Sequence, residues 1–478
     1  MYRKPKSQFT LDDFRLPFEG NLSADNRWVK LAGIIPWDEI ETRYASLFPS
    51  NTGNVAKPAR MAVGSLIIKE RCNFTDEETV EQIKENPYLQ YFIGLKEFQT
   101  EAPFDPSLMT YFRKRLGPDI INEINELICQ EQNKDDDPPS SGDDDIPKKG
   151  NLLLDATCAP ADIRYPTDIS LLNEAREKTE QIIDTLYKDM ESDVKKPRTY
   201  RVKARKNYLA ISKQRKPSKK KIRKAIKKQL GYLNRNLKNI TLLLLATKNN
   251  PLSRKQQEEL EVIRELYHQQ KYMYDHQVNK IENRIVSISQ PHINPIVRGK
   301  ANAATEFGAK IGASMVNGFV FLDILRWDNF NEGTTLIESV ETYKKRYGYY
   351  PEAVIVDDIY RTRGNINYCK EKGIRISGSK LGRKNKDILA AEKKQWNKDA
   401  KERNAIEGKF GEGKRRYGLE KIMARLRETS ETEIALQFLV MNLEHCLHIH
   451  FNLFLRDIFS LFKERYVSLN NTVLALTS

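Results

Sequence analysis

The sequence predicts an α/β protein in which a strand-containing core is interrupted by a long all-helical segment. Three observations predict this fold class. Apolar runs with the length of buried strands occur at Asn151–Ala159 and at Ala353–Val356. Residues 171–284, which separate them, have the length, charge and apolar periodicity of long helices, and residues 59–117 contain helix-start signals. We therefore expect helices both before the strand-containing core and within it.

The N-terminal part of the chain is predicted to form short helices joined by tight turns. Thr75 and Glu78 have the spacing of a capping box, and Ser107 precedes a further apolar repeat. Short helices of this kind resemble a helix-turn-helix module, although a generic helical bundle fits equally well. We assign residues 1–130 to a helical N-terminal domain.

A strongly acidic segment follows that domain. Asp135–Asp145 contains six aspartates, separated by proline, serine and glycine residues. This composition has too little apolar surface to form a core. Residues 131–149 are therefore predicted to be a linker.

The remaining strand patterns come after the long helical segment. Lys310–Val316 and Gly318–Trp327 are apolar runs of strand length, Asn331–Tyr347 is helix-like, and residues 434–465 form an apolar helical pattern. These patterns predict three further parts of the chain, namely a core made of residues 150–173 and 285–430, a basic helical insertion at 174–284, and a C-terminal helical segment at 431–478.

The positive charge of the chain is concentrated in one stretch. The 478 residues contain 80 Lys and Arg against 65 Asp and Glu, but 19 of these cations and no acid lie between Lys195 and Lys238. Without this stretch, the chain has 61 basic and 65 acidic residues. Such a block is either a solvated helical face or a surface for a polyanion, and the interleaved Tyr200, Tyr208 and Tyr232 favour nucleic acid.

Cysteine usage and hydropathy exclude two other classes of protein. The five cysteines are scattered and form no CxxC pair, which argues against a disulfide-stabilised secreted domain. The N-terminus lacks the apolar region of a signal peptide, and the most apolar stretch, residues 434–455, contains too many polar groups to span a membrane at low cost. We expect a soluble protein of the cytoplasm.

Three carboxylates are placed where catalytic groups often occur. Asp155 and Asp357 are each predicted to end an apolar strand, and strand ends in α/β sheets open onto a crevice. A structural role is also open, because aspartate commonly forms the turn after a strand. The adjacent Asp358 is an alternative to Asp357 for the catalytic position. Glu407 lies in a helix-like stretch. Converging carboxylates hold hard divalent cations, which support phosphodiester cleavage as a pair about 3.5–4 Å apart.

The helix-like stretch adds two cations to this set. Arg403, Glu407 and Lys414 fall within roughly 40° of one another on a helical wheel at about 100° per residue. A carboxylate flanked by two cations suits a site that binds a metal and a phosphate, whereas a salt-bridged solvent face is the alternative. Three nearby glycines lower the helix propensity of the stretch, which close approach to another element or to DNA would explain; these are Gly408, Gly411 and Gly413.

The segments around these three carboxylates resemble the DDE transposases of bacterial insertion sequences. The resemblance covers LLLDATCAPADIRYPTDISLLNEAR at Asp155, VIVDDIYRTRGNINYCKEKGIRISG at Asp357 and RNAIEGKFGEGKRRYGL at Glu407. It is greatest to the IS5/IS1182-like branch of the IS4 superfamily, whose Arg-x3-Glu-x6-Lys motif is matched by Arg403, Glu407 and Lys414. The N-terminal helical region also resembles the domain that precedes the catalytic core in that group.

The resemblance implies an RNase H-like core and a DNA transposase. Its catalytic and metal-binding residues would be Asp155, Asp357 and Glu407, holding Mg²⁺ or Mn²⁺ as two ions. Its partners would be double-stranded DNA, as terminal inverted repeats and as target, and a second copy of the chain when two ends are paired. It would work in the bacterial cytoplasm, associated with the nucleoid, with the N-terminal domain binding DNA. The DNA-binding residues would be Arg403, Lys414, Lys380, Arg383, Lys384, Lys219, Lys220, Lys221, Arg223 and Lys224.

Two other functions remain open at this point. One is a catalytically inactive or domesticated DNA-binding protein, and the other is an RNase H-like nuclease that cuts DNA without joining it. Metal-dependent nicking separates the first from a transposase, and strand transfer from pre-cut ends separates the second.

Overall fold

The computed structural model describes residues 2–3, 10–16, 20–49, 52–132, 148–188, 190, 195–247, 250–297, 305–378 and 390–477 of the chain. Most of the predicted acidic linker, residues 133–147, lies outside these ranges. Within them, no helix combines the length and the apolar character needed to cross a membrane.

The first part of the described chain is entirely helical. Helices α1–α6 span Arg27–Ile34, Trp37–Ser46, Ala59–Cys72, Asp76–Glu85, Pro87–Phe92 and Leu108–Gln132. Thr75 caps α4 by accepting a hydrogen bond from the Glu78 amide at 3.1 Å, as its spacing predicted. Helix α6 is kinked at Gly117, which has a φ of 65°. The sequence analysis did not predict α1 and α2, although Trp28, Leu31 and Ile40 within them are buried.

Four long helices follow the first strand. They are α7 (Asp168–Lys188), α8 (Arg201–Ser212), α9 (Lys219–Ala246) and α10 (Arg254–His276). Their apolar residues form two small cores of their own, one around Leu172, Leu233 and Ile263 and the other around Ile183 and Ile240.

Six strands form one mixed sheet. They are β1 (Asn151–Pro160), β2 (Asn294–Val297), β3 (Thr305–Val316), β4 (Phe319–Arg326), β5 (Ala353–Ile355) and β6 (Arg375–Ile376). β1 pairs with β3 in antiparallel and with β5 in parallel orientation, and β6 extends the parallel edge. Along its other edge, β3 pairs with β2 and β4. The predicted mixture of strands and helices is therefore confirmed.

The prediction that Asp155 ends a strand is wrong. β1 continues to Pro160 because its second half remains paired with β3, down to the contact between Pro160 and Gly308. β5, in contrast, ends two residues before Asp357. The parallel pairing with β5 covers only the first three residues of β1, so Asp155 lies beyond that pairing and still within its own strand.

Four helices complete the fold. They are α11 (Leu336–Tyr347), α12 (Arg363–Glu371), α13 (Ala390–Arg416) and α14 (Arg427–Thr477). Helix α14 begins earlier than the predicted residue 434.

The first half of α14 lies in the centre of the molecule. Residues 434–441 are fully or almost fully buried. The Asn442 amide accepts a hydrogen bond from the Val320 N–H at 2.8 Å and donates to the Val320 carbonyl at 2.7 Å and to Asn125 at 2.8 Å. Arg71 of α3 pairs with Glu444 at 2.5 Å. Helix α14 thus connects the N-terminal helices to strand β4.

Candidate active site

The sheet places Asp155 beside Asp357. In the parallel pairing of β1 with β5, Leu153 lies opposite Ile355. Two residues further along each chain, Asp155 and Asp357 come to the same level and to the same side of the sheet, because strand side chains alternate with a period of two. Asp358 lies one residue out of this alternation.

Helix α13 brings the third carboxylate to that side. Asn151 of β1 donates a hydrogen bond of 2.9 Å to Glu402 of α13, so α13 covers the side of the sheet that carries the odd-numbered residues of β1. Ile406 and Phe410 bury the apolar face of the helix. Glu407 follows Ile406 directly and is thereby held at the border between this packed face and solvent.

The three carboxylates line one cavity of about 940 Å³. Arg403 and Lys414 line it too, as the helical wheel predicted for the same face of α13. Asp358 is absent from its wall, and two aspartates that follow β1 pair elsewhere: Asp168 with Arg284 at 2.6 Å and Asp162 with Lys421 at 2.9 Å. The remaining lining residues are Ala156, Thr157, Val297, Lys310, Asn329, Phe330, Asn331, Glu332, Ile359, Phe410 and Gly411.

Asp155 is the most buried of the three acids. The pKa of its carboxyl is raised to about 6, chiefly by burial and in smaller part by the negative charges of Glu332 and Glu407. The hydrogen bond from the Ala156 amide at 2.8 Å and the positive charge of Arg403 oppose this shift. Repulsion among neighbouring carboxylates is expected when no divalent cation lies between them.

Arg403 bridges the other two acids. Its Nη1 lies 3.3 Å from Oδ1 of Asp357, and its Nη2 lies 3.3 Å from Oε1 of Glu407. The predicted i,i+4 pair on α13 is therefore present, and it is extended to the end of β5. One guanidinium connects a helix and a strand end that the sequence separates by 46 residues.

Two charged residues of the cavity escaped the sequence analysis. Lys310 of β3 is buried, donates to the Phe330 carbonyl at 2.7 Å and pairs with Glu332 at 3.0 Å. The sequence contained a signal for Lys310, because a lysine in an otherwise apolar strand is expected to be buried and a buried ammonium needs polar partners. Glu332 lies in a short 3-10 turn before α11, within a stretch predicted as plain helix, and carried no comparable signal.

The donor set fits a hard divalent cation. Asp155, Asp357 and Glu407 offer carboxylate oxygens, the ligands that Mg²⁺ and Mn²⁺ prefer. A backbone amide orients each aspartate, from Ala156 and from Asp358, both at 2.8 Å. In the described part of the chain, however, no three acidic, histidine or cysteine side chains converge closely enough to form a metal cluster.

The glycines of α13 have different surroundings. A Cβ on Gly413 would lie 3.0 Å from Sδ of Met441 in α14, so close helix packing explains this residue. A Cβ on Gly408 would meet no atom within 4 Å, and Gly411 lines the cavity with only the Arg415 side chain near it. Close approach to another element therefore explains one of the three glycines.

The basic stretch forms helix α8, the start of α9 and the turn between them, called here the basic hairpin (Lys195–Lys238). Lys196 and Arg201 pair with Asp184 at 2.7 and 2.9 Å, and Arg223 stacks 4.2 Å from the Tyr274 ring. The five predicted DNA-binding cations at the start of α9 are exposed; they are Lys219, Lys220, Lys221, Arg223 and Lys224.

The first turn of α9 is electrostatically unusual. It has no acidic residue, although acids normally stabilise a helix N-terminus, and it carries three consecutive lysines instead. Unpaired amides and cations at one helix end favour a bound anion. The other predicted basic cluster, at Lys380, Arg383 and Lys384, lies outside the described residues.

Two family models match the chain. One, described as a transposase DDE domain, matches residues 354–444, which contain Asp357, Arg403, Glu407 and Lys414. The other, described as a transposase domain, matches residues 16–115, which contain α1–α5. Asp155 lies outside both matches.

One curated relative also matches part of the chain. The "Uncharacterized protein ORF8 in nfe locus" of Rhizobium meliloti is 32% identical over 164 residues, which make up 34% of this chain and 76% of that relative. No solved structure matches the chain significantly. With transposase matches at both its N-terminal helices and its α13 segment, the chain belongs to the DDE transposases of insertion sequences.

Proposed function

We propose that the chain is a DNA transposase that binds terminal inverted repeats and performs metal-dependent DNA cleavage and strand transfer. The observation that carries the proposal is the shared cavity of Asp155, Asp357 and Glu407, since the three lie far apart in sequence and on three different elements. Arg403 and Lys414 supply positive charge in the wall of the same cavity.

Asp155, Asp357 and Glu407 are the residues that would hold the divalent ions, as Mg²⁺ or Mn²⁺. When bound, two such ions activate a water and stabilise the charge on the attacking and leaving oxygens of the phosphodiester. The protein's own part is to hold the scissile phosphate in line. Lys414, on the same face of α13 as Glu407, would contact a phosphate next to the scissile bond, and the buried Lys310 holds Glu332 in the cavity wall.

The sheet supports an RNase H-like core made of residues 150–173 and 285–430. Its strands combine an antiparallel unit of β1, β3 and β4 with a parallel extension through β5 and β6. On this proposal, 174–284 is a helical insertion, 131–149 a linker and 431–478 a C-terminal helical segment.

DNA contacts are divided between two regions in this proposal. The helices of residues 1–130 recognise the inverted repeats, and the basic hairpin binds phosphates without reading bases, because Lys and Arg neutralise the backbone irrespective of sequence. Two copies of the chain would pair the two ends, in the cytoplasm at the nucleoid.

The test begins with the DNA that the protein binds. A pull-down of genomic fragments followed by sequencing identifies the ends. Duplexes with these ends are then assayed for nicking with Mg²⁺, and pre-cut ends are assayed for joining to a plasmid. Nicking and joining are expected. Nicking without joining would indicate a nuclease, and binding without either would indicate an inactive DNA-binding protein.

Lys414→Ala is expected to reduce cleavage ten- to hundredfold and to change duplex binding less. One charge-assisted contact to a phosphate contributes about 1.5–3 kcal/mol. Single-turnover cleavage and duplex affinity measure the two effects separately. Lys401→Ala serves as the control, because Lys401 is exposed on α13 and does not line the cavity. A lower melting temperature with unchanged specific activity would give Lys414 a purely structural role.

The contribution of Asp155 to the stability of the metal-free protein is expected to fall as the pH rises from about 4 to about 6. The pKa of Asp155 is raised from 3.8 to about 6, so within this window the native state holds a proton that the unfolded chain has released. Asp155→Asn removes this contribution. In EDTA, the melting temperature of Asp155→Asn should therefore rise relative to that of the unsubstituted protein between pH 4.5 and pH 7.

A difference between Asp155→Asn and the unsubstituted protein that stays the same at both pH values would contradict the environment described for Asp155.

A further inference from the structure

Arg403 occupies a particular position among the acids of the cavity. Its two terminal nitrogens contact different carboxylates, Asp357 and Glu407, each at 3.3 Å. Its side chain is 28% exposed, against 57% for Asp357 and 49% for Glu407, so it is more buried than either of its partners. A single cation thus pairs with two of the three acids to which the proposed function assigns the metal, and it offsets one of their two negative charges.

A metal ion and this guanidinium compete for the same oxygens. A hard cation binds through carboxylate oxygen atoms, and the two positive charges would repel each other strongly in a partly desolvated cavity. Arg403 thus holds two of the three carboxylates of the cavity in its own ion pairs.

The other cation of the wall behaves differently. Lys310 is anchored to the Phe330 backbone carbonyl at 2.7 Å as well as to Glu332, so it is a fixed part of the wall. In the described structure, Arg403 pairs with side chains from two elements and with no backbone carbonyl. Its planar group is also the one best suited to a phosphate, which it can bind through two parallel hydrogen bonds.

We propose that Arg403 is the internal counterion of the metal-free site and changes partners when metal and DNA bind. The metal takes over Asp357 and Glu407, and the released guanidinium moves to a phosphate of the bound strand. By thermodynamic linkage, metal then strengthens DNA binding, and DNA strengthens metal binding by the same factor. This inference rests on the proposed function and adds to it the order in which the charges of the site are exchanged.

The first test measures Mn²⁺ binding to the full chain without DNA by isothermal titration calorimetry. Arg403→Gln removes the competing cation, so Mn²⁺ is expected to bind about tenfold more tightly or better, within the usual range of coupling between sites. Arg403→Lys keeps the charge but loses the two-pronged contact, and its affinity should lie between those of the other two proteins. The matched control is Arg416→Gln. Arg416 pairs with Glu412 on the same helix at 3.7 Å, and neither residue lines the cavity, so Mn²⁺ affinity should not change.

The second test measures binding of a duplex recovered in the genomic pull-down, in EDTA and in Ca²⁺. In EDTA, Arg403 is held by the acids, so Arg403→Gln should bind the duplex within about twofold of the unsubstituted protein. In Ca²⁺, the unsubstituted protein should gain about tenfold in affinity, and Arg403→Gln should lose most of that gain. If Arg403 instead contacts phosphate whether or not metal is bound, Arg403→Gln will lose the same fraction of its duplex affinity in both buffers. That result would overturn the proposed exchange of partners.

Failure of the proposed function and failure of the counterion role give different experimental results. If the cavity is not a metal site, Glu407→Gln will bind Mn²⁺ just as the unsubstituted protein does, or neither protein will bind it. Either result contradicts the proposed function. If the cavity binds Mn²⁺ through Glu407 but Arg403→Gln leaves the affinity unchanged or weaker, only the counterion role falls. Melting temperatures in EDTA verify that each variant is folded.

Discussion

Asp155→Asn and Glu407→Gln are each expected to abolish DNA cleavage while duplex binding stays within a few-fold of the unsubstituted protein. Carboxylates hold the divalent ions but repel phosphate, so the loss of one removes the chemistry without weakening electrostatic attachment to DNA. Asp357→Asn should behave in the same way, because all three acids line one cavity. A gel-based cleavage assay with Mg²⁺ and an affinity titration on the same duplex measure the two quantities.

The control for these substitutions is the neighbouring Asp358. Its amide supports Asp357 through a hydrogen bond of 2.8 Å, but its side chain does not line the cavity. Asp358→Asn keeps this amide and should retain measurable cleavage. Cleavage at the unsubstituted rate by Asp155→Asn or Glu407→Gln would show that the active site lies elsewhere.

Replacing five cations of the basic hairpin with glutamine is expected to flatten the salt dependence of DNA binding by a few units. If about six of its cations contact phosphates, counterion release at about 0.9 per contact gives the hairpin a slope near −5 in log K against log salt. The substituted residues are Lys219, Lys220, Lys221, Arg223 and Lys224. Affinity is measured at several salt concentrations for a cognate and for a scrambled duplex.

Both duplexes should lose affinity about equally, because contacts to phosphates carry no base information. Scrambled DNA is therefore the internal control for the hairpin. An unchanged slope would mean that the exposed cations form only a solvated face. A loss confined to cognate DNA would place base recognition in the hairpin instead of the N-terminal helices.

The local part of the site could be predicted from sequence. The Arg403–Glu407 pair and the common face with Lys414 follow from helical periodicity alone. The extended backbone before Asp357 was also predictable, because Ala353–Val356 is uniformly apolar.

The long-range part could not be predicted in this way. The choice of Asp357 over Asp358 depends on the register of β5 against β1, and apolar strands of this kind carry little register information. The position of Asp155 inside β1, not at its end, depends on how far the pairing of β1 with β3 extends. Lys310 and Glu332 meet across the β3–β4 unit, 22 residues apart, and no periodicity connects them. Helices α1 and α2 were missed because their starts carry no Thr-x-x-Glu spacing like that at the start of α4.

The central position of α14 limits how such a chain can be divided or exchanged in evolution. The buried Asn442 amide is shared with Asn125 of α6 and with the backbone of β4, while Met441 packs on Gly413 of α13. A fragment that ends before Arg427 would lack α14, and apolar surface of both the N-terminal helices and the sheet would then be exposed to solvent. N-terminal helices from a different mobile element could therefore be grafted onto this sheet only together with the matching face of α14.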